Sequence, residues 1–165
     1  MIEYRDASLD DCYEIALLKG AVWDTTYRGI YTDELLDNYD IVHNESIPKK
    51  TIVNPDISVC VATDSSRIIG FMSCGKPYRP FLAYKQEIGL LYILKEYQKR
   101  GIGRQLFLLG KSRIKTSGFS EFFISVNKYN HNALGFYLAM GGSIVHIDED
   151  SEDKRNAQIK LHYTI

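Results

Sequence analysis

The 165-residue sequence has few cysteines, almost no net charge and no long hydrophobic run. Cys12, Cys60 and Cys74 are isolated, with no CxxC pair and no paired histidine spacing, which argues against a disulfide framework and against structural zinc. We interpret them as small buried apolar residues. A net charge of −1 provides no overall basic field for nucleic acid or an anionic membrane. The longest apolar stretch, residues 90–94, is far too short to span a bilayer.

The chain also lacks a recognisable signal peptide, because residues 1–6 are charged and lead directly into patterned sequence. We therefore expect a cytoplasmic protein, with no nucleic-acid or membrane partner, that is a monomer or a homodimer. The hydrophobic content of 45% is ordinary for a globular protein. Together with the length, it predicts a single domain over residues 1–165.

Periodicity in the first half predicts a short strand, two or three helices and a β-hairpin. Ser8, with Asp11 three residues later, is typical of a helix start, and that helix is predicted to run to about Trp23. A shorter helix opens at Thr32. The remaining predicted elements are a strand at 2–5, a possible helix within 41–52 confined by Pro48, and hairpin strands at 57–63 and 67–74.

The second half alternates strands and helices, which predicts parallel as well as antiparallel pairing. The charged run 148–155 is most simply a solvated hairpin tip, with a binding role as the alternative. The predicted strands cover residues 121–126, 143–147 and 158–164. One predicted helix follows the glycine turn described next and runs to about residue 116. A second covers 130–140 and is ended by Gly141 and Gly142.

Between residues 87 and 109 a strand, a basic glycine turn and a helix follow in immediate succession. The turn is Gln98-Lys99-Arg100-Gly101-Ile102-Gly103, and Arg104 follows it. Glycines let the backbone approach an anion, and the free N–H groups of the helix start point at that anion. The three cations add positive charge at the same place. This arrangement predicts a site for the pyrophosphate of a nucleotide-type cofactor.

Two familiar nucleotide motifs are absent from this turn. A Walker motif ending on Gly110-Lys111-Ser112 would need glycine five residues earlier, where this chain has Gln105. This triplet also lies inside a predicted helix instead of following a strand. The dinucleotide pattern GxGxxG would need glycine at Leu106. Neither ATP nor NAD is therefore supported, and the pattern that fits is Q-x-x-G-x-G.

With this turn, a downstream run makes the chain resemble the GNAT acyltransferase superfamily. Members carry Q/R-x-x-G-x-G/A for the pyrophosphate of acetyl-CoA, and then N-x-x-A-x-x-F/L-Y-x-x-x-G-F. Asn130, Ala133, Phe136, Tyr137 and Gly141 match the second pattern in step. Lys95 and Gly142 depart from it, since many members have proline and phenylalanine there.

The resemblance implies an α+β fold with a central mixed, mostly antiparallel sheet of six to seven strands and about four helices. Two parallel strands would splay apart, and the pantetheine arm of acetyl-CoA would lie between them. Gly89 is expected to mark a bulge in the first of these strands. Backbone groups near Tyr92, Ile93 and Leu94 would bond the pantetheine arm, and an N–H near Ile93 and Leu94 would stabilise the oxyanion. The expected cofactor residues are Ile93, Leu94, Gln98, Lys99, Arg100, Gly101, Ile102, Gly103, Arg104, Asn130 and Tyr137.

By the same resemblance, Tyr137 would be the general acid that protonates the CoA thiolate, because a phenol holds its proton at neutral pH. The alternative is a core aromatic residue beside Phe136. Asn130 is expected first as a helix N-cap. Glu87 is the candidate general base, with an exposed strand-end carboxylate, or deprotonation by water alone, as the alternatives. No metal is needed for this chemistry.

An aromatic stretch between the first two predicted helices would wall the acceptor site in such enzymes. Trp23, Asp24 and Tyr27 could receive a cationic amine by cation–π and ionic contacts; alternatively, Trp23 and Tyr27 form an apolar helix stripe. The predicted activity is acetyl transfer to a small amine such as a polyamine, or to a protein or peptide amine. A non-catalytic acyl-CoA sensor and a protein-interaction domain are the alternatives outside this class.

Overall fold

The computed structural model describes residues 1–148 and 152–165. Its strands are β1 Ile2–Asp6, β2 Ile57–Asp64, β3 Arg67–Gly75, β4 Glu87–Ile93, β5 Glu121–Asn127, β6 Ser143–Ile147 and β7 Gln158–Thr164. These seven strands form one sheet in the order β1-β2-β3-β4-β5-β7-β6, in which β4 and β5 pair in parallel and the other neighbours are antiparallel. The predicted fold class is confirmed.

Helices cover both faces of this sheet. They are α1 Cys12–Tyr27, α2 Asp33–Asp37, α3 Ile41–Ile52, α4 Ile102–Thr116 and α5 His131–Ala139. Met72 on β3 lies against α4, whereas the adjacent Phe71 faces α1 and α3, because successive strand residues point to opposite faces. The sheet face that carries α1 and α3 is called the α1 face below.

Two helix boundaries differ from the sequence prediction. The first helix does not end near Trp23 but continues to Tyr27, because no helix breaker occurs before Gly29, which adopts φ +84°. The third helix runs through Pro48 to Ile52, although proline removes a hydrogen bond from a helix interior. Pro48 is buried and α3 packs along α1, and this packing outweighs the lost bond.

Two smaller predictions are confirmed, the burial of the cysteines and the Ser8–Asp11 cap. Cys12, Cys60 and Cys74 are buried free thiols. The Asp11 carboxylate accepts a hydrogen bond from the Ser8 N–H at 2.7 Å, as a capping pair does. Of the charged run 148–155, residues 149–151 lie outside the described residues. Among the helices of the described ranges, none is both long and apolar enough to cross a membrane.

Candidate active site

The parallel strands β4 and β5 touch at one end and separate toward the other. Their register contains a single pair, Glu87 with Phe123, although β4 continues to Ile93 and β5 to Asn127. The gap therefore widens toward the carboxyl ends of both strands. This confirms the splayed strand pair and places an open slot directly before the glycine turn.

Gly89 forms the predicted bulge in β4. Ser73 pairs with Leu90 and Cys74 with Ile88, so Gly89 has no partner on β3. A Cβ atom at position 89 would lie only 2.8 Å from Oε1 of Glu87. The missing side chain therefore leaves room for the Glu87 carboxylate beside the bulge, on the α1 face.

The glycine turn connects β4 to α4 through backbone conformations that few residues adopt. Lys99 has φ +61° and Gly101, the N-cap of α4, has φ +83°. Gln98 fixes the start of the turn, since its Nε2 donates to the carbonyl oxygen of Ile93 at 3.1 Å. Gly103 lies close to the strand, because a Cβ there would be 3.0 Å from Cδ1 of Ile93.

Positive charge surrounds the N-terminus of α4. Lys99, Arg100 and Arg104 are exposed. Among residues 1–148 and 152–165, none of the three forms a salt bridge with a carboxylate. Arg100 lies 5.1 Å from the ring centroid of Tyr97, which holds its guanidinium beside the turn. Free N–H groups, the positive end of a 15-residue helix and these cations fit a pyrophosphate.

Only one of the two N–H groups proposed for the oxyanion faces the slot. The N–H of Leu94 donates to the carbonyl of Ile69 at 3.0 Å and therefore points to β3. This bond corrects the expectation for Leu94. Backbone groups of successive strand residues point to opposite sides, so the Ile93 N–H faces the gap toward β5.

The helix α5 begins beside the open end of the slot. Asn130 is its N-cap as predicted, and Oδ1 accepts from the Ala133 N–H at 3.1 Å. Tyr137 lies two turns further on and is buried. Burial raises the pKa of its phenol above the ordinary value, and the neighbouring phenols Tyr163 and Tyr27 raise it further. Tyr137 therefore keeps its proton at neutral pH, as a general acid must.

Aromatic residues from the end of α1 cover the open end of the slot. Trp23 Nε1 donates to Oη of Tyr92 on β4 at 3.2 Å. Burial raises the pKa of the Tyr27 phenol, and the neighbouring side chains of Asn130 and Tyr92 oppose this rise. Two predicted acceptor residues, Trp23 and Tyr27, thus lie next to the predicted cofactor residues. They also form the predicted helix stripe, with ring centroids 6.1 Å apart, so the two alternatives are compatible.

Sequence reasoning does not identify Tyr31 or the side chain of Tyr92. The Tyr31 ring stacks on Tyr27 with centroids 4.4 Å apart. Burial raises the pKa of its phenol, a rise that the nearby Asn127 side chain at the end of β5 opposes. For Tyr92, the family resemblance implies a role of the backbone alone. The available signal is the i, i+4 spacing of Trp23 and Tyr27 followed by Tyr31, which places three rings together only if the helix extends to Tyr27.

Asp24, the third predicted acceptor residue, lies apart from this cluster. Its exposed carboxylate pairs with Arg28, which also pairs with Asp33 at 3.1 Å and Asp37 at 2.8 Å. Asp24 therefore holds the α1–α2 connection together instead of facing the rings. Beyond Tyr31 this connection borders a groove of about 1070 Å³. Its charged lining residues are four acidic ones, Asp33, Glu34, Glu152 and Asp153, and two basic ones, Lys154 and Arg155.

Glu87 lies on the α1 face, beneath the connection between β3 and β4. The Tyr78 N–H donates to its Oε1 at 3.1 Å. Burial raises the pKa of this carboxyl, and both the Tyr78 N–H and the Lys160 ammonium oppose the rise. A partly buried carboxylate is a better proton acceptor than an exposed one, which favours the general base over a solvated strand-end residue. Among the described residues, no group of three metal-ligating side chains occurs.

Comparison with known proteins agrees with this geometry. The model of the acetyltransferase (GNAT) family matches residues 21–141. The chain belongs to this family. It is 31% identical over 140 residues to an uncharacterized N-acetyltransferase, YuaI, of Bacillus subtilis, covering 84% of this chain and 79% of that protein. It is thus an acetyl-CoA-dependent N-acetyltransferase, and the predicted enzyme class is confirmed.

Two comparisons with Thermoplasma acidophilum proteins extend over most of the chain. The first is a spermidine N(1)-acetyltransferase, 28% identical over 159 residues, with 92% of this chain and 93% of that protein covered. The second is the crystal structure of the PaiA N-acetyltransferase in complex with coenzyme A, with a TM-score of 0.81, 27% identity and coverage of 100% and 99%. The same fold therefore accommodates coenzyme A in a related protein.

Proposed function

We propose that this acetyltransferase acts on a small primary amine, with a linear polyamine as the favoured acceptor. One observation carries the proposal. The rings of Trp23, Tyr27 and Tyr31 bridge β4, β5 and the start of α5, and they thereby cover the mouth of the slot in which the thioester would lie. The relative that acetylates spermidine supports the same acceptor class.

The aromatic cluster suits an ammonium group. The ammonium of Lys19 already lies 4.7 Å from the ring centroid of Trp23, so this ring holds a cation within the protein itself. The stacked rings of Tyr27 and Tyr31 offer further π-surface beside it. The acidic side chains along the adjoining groove would attract the distal ammonium groups of a polyamine.

The chain's own residues account for both proton transfers. Glu87 takes the proton of the acceptor ammonium, so that the free amine can attack the thioester carbon. The Ile93 N–H stabilises the negative charge that develops on the thioester oxygen. Tyr137 gives its proton to the departing thiolate. The attacking nitrogen loses its second proton to solvent as the intermediate collapses to the amide, and solvent carries the proton held by Glu87 to Tyr137. When bound, acetyl-CoA supplies the activated acyl group, held by Gln98, Gly101, Gly103, Arg100, Arg104 and Asn130.

A thiol-release assay with acetyl-CoA tests this function across polyamines, amino acids, aminoglycosides and short peptides. We expect turnover to be fastest with polyamines. Turnover confined to amino acids or peptides would contradict the acceptor class. Calorimetric binding of acetyl-CoA without turnover on any amine would instead favour a non-catalytic acyl-CoA sensor.

A matched pair of variants tests the aromatic cluster. Tyr31→Leu removes the π-surface, whereas Tyr31→Phe keeps it. Because a cation–π contact contributes about 0.5 to 1 kcal/mol, Tyr31→Leu should raise KM for the polyamine about two- to five-fold, with KM for acetyl-CoA unchanged. Equal KM values for the two variants would exclude cation–π recognition at this ring.

A further inference from the structure

Three strands place Glu87, Ser125 and Lys160 on one face of the sheet. Glu87 on β4 pairs with Phe123 on β5, and Ser125, two residues further along β5, pairs with Lys160 on β7. Side chains of paired residues, and of residues two apart on a strand, share a face. Lys160 therefore lies across β5 from the candidate base, on the α1 face where the acceptor would enter.

Lys160 is held in place, unlike a lysine on an open surface. Its Nζ donates to Oγ of Ser125 at 2.7 Å. The same ammonium lies 5.7 Å from the ring centroid of Phe81 and 5.8 Å from that of Phe123. A lysine side chain loses much rotational freedom in such a setting. The structure thus maintains a fixed, partly desolvated positive charge near the active site.

Two groups act on Glu87 against the effect of its burial: the Tyr78 N–H from the β3–β4 connection and the Lys160 ammonium from β7. For Lys160, burial lowers the pKa of the ammonium; Asp148 and Glu87 favour its charged form, and Arg79 disfavours it. Lys160 is therefore the one full positive charge coupled to Glu87 among the described residues.

We propose that Lys160 is a positioning residue for the general base, in that its fixed ammonium keeps Glu87 anionic at the pH at which the acceptor must be deprotonated. This inference rests on the role of Glu87 in the proposed function. Burial raises the pKa of the Glu87 carboxyl and so favours its protonated form. The interaction with Lys160 lowers the pKa of Glu87 and so opposes the effect of burial. Because the two side chains do not form a direct salt bridge, the carboxylate stays free to accept a proton from the substrate.

The pH dependence follows from the sign of this interaction. Loss of the cation at position 160 raises the pKa of Glu87, so the acidic limb of the kcat/KM profile moves to higher pH. Lys160→Met should therefore move the limb to higher pH, while Lys160→Arg should leave it near the wild-type position. Lys50→Met, an exposed lysine on α3, controls for a change of net charge.

A titration without substrate reads the same carboxyl directly. In protein labelled with ¹³C at the glutamate carboxyl groups, the resonance of Glu87 is assigned by its absence in Glu87→Gln. The expected result is a higher titration midpoint for Glu87 in Lys160→Met than in wild type and Lys160→Arg. An unshifted midpoint in Lys160→Met overturns the inference. If Lys160→Met does not fold, Lys160→Gln, which is neutral but keeps a polar end, takes its place: a raised midpoint supports the inference and an unshifted one overturns it.

The kinetic effect of Glu87→Gln separates this inference from the proposed function. If Glu87→Gln abolishes the acidic limb and Lys160→Met does not move it, the base stands and the inference about Lys160 is wrong. If Glu87→Gln retains both rate and limb, the base assignment itself is wrong. A shifted midpoint in the titration would then still establish the electrostatic coupling, without a catalytic role for it.

Discussion

The phenol of Tyr163 on β7 donates a hydrogen bond to the backbone carbonyl of Tyr137 on α5 at 2.7 Å, in the protein interior. This bond ties the helix that carries the candidate acid to the sheet. Gly142 leaves the space for it, because a Cβ there would lie 2.7 Å from the Tyr163 oxygen. Many family members have phenylalanine at this position. In this chain the Tyr163 side chain occupies the corresponding space, which accounts for the departure from the motif.

Tyr163→Phe should therefore lower the free energy of unfolding by about 1 kcal/mol, the usual net contribution of a buried hydrogen bond. The Tyr137 carbonyl also accepts from the Gly142 N–H at 3.1 Å, so the loss leaves it partly satisfied. Urea unfolding measures the change. Tyr78→Phe, at an exposed tyrosine, is the control and should leave the midpoint unaltered; equal effects of the two substitutions would contradict the role of the bond.

Tyr137→Phe should lower kcat by roughly 10²-fold, the low end for loss of a general acid. The backbone bond from Tyr163 remains, so the helix should keep its position and the Kd for acetyl-CoA its value. Because burial raises the pKa of Tyr137, its phenol stays protonated at neutral pH, and deprotonation of this group should not lower the wild-type rate there. Steady-state kinetics and calorimetry measure the two quantities, and Tyr13→Phe on the exposed side of α1 is the control. An unchanged kcat would remove Tyr137 from the mechanism.

Gly103→Glu should abolish binding of acetyl-CoA by placing bulk and negative charge at the pyrophosphate site. A Cβ atom at position 103 would lie 3.0 Å from Cδ1 of Ile93, so some of the effect will be steric. Gly103→Gln has the same size without the charge and separates the two contributions. Calorimetric titration should rank the Kd values as wild type, Gln and Glu, in increasing order. Wild-type affinity in Gly103→Glu would place the pyrophosphate elsewhere.

Local signals predict most of the elements and the glycine turn. Gly101 and Gly103, with three adjacent cations, mark the turn in the sequence because both the conformation and the charge are local properties. The bulge at Gly89 is also predicted, through the family resemblance. The turn is decided by residues close together in the chain, whereas the bulge is a pairing irregularity between β3 and β4; the structure confirms both.

Contacts between distant segments cannot be predicted in the same way. Tyr27 reaches Asn130 from a remote part of the chain, and nothing in either local pattern identifies the other. Asp24 is expected at the acceptor site because it follows Trp23, but successive helix residues point about 100° apart, so it turns outward to Arg28. Strand register decides that the Ile93 N–H faces the gap while the Leu94 N–H bonds to β3. Sequence patterns specify such a register poorly.

Asp11 provides a prediction for stability against pH. Both Nη atoms of Arg5 donate to its carboxylate oxygens at 2.8 Å, and this pair, opposed by burial and aided by Ser8, lowers the pKa of Asp11 to about 2. In the unfolded chain the pKa is about 4. Since the folded value is the lower one, the stabilisation is complete above about pH 4 and is lost as the pH falls toward 2.

Asp11→Asn should consequently lower the free energy of unfolding by about 1 to 2 kcal/mol at pH 7, a value reduced because Arg5 is partly exposed. Near pH 2 the difference from wild type should be much smaller, because the wild-type carboxyl is then about half protonated in the folded protein and almost fully protonated in the unfolded chain. Urea unfolding at both pH values gives the comparison, with the exposed Asp10→Asn as control. A difference that is the same at pH 7 and pH 2 would mean that Asp11 stabilises the fold through packing alone and not through its charge.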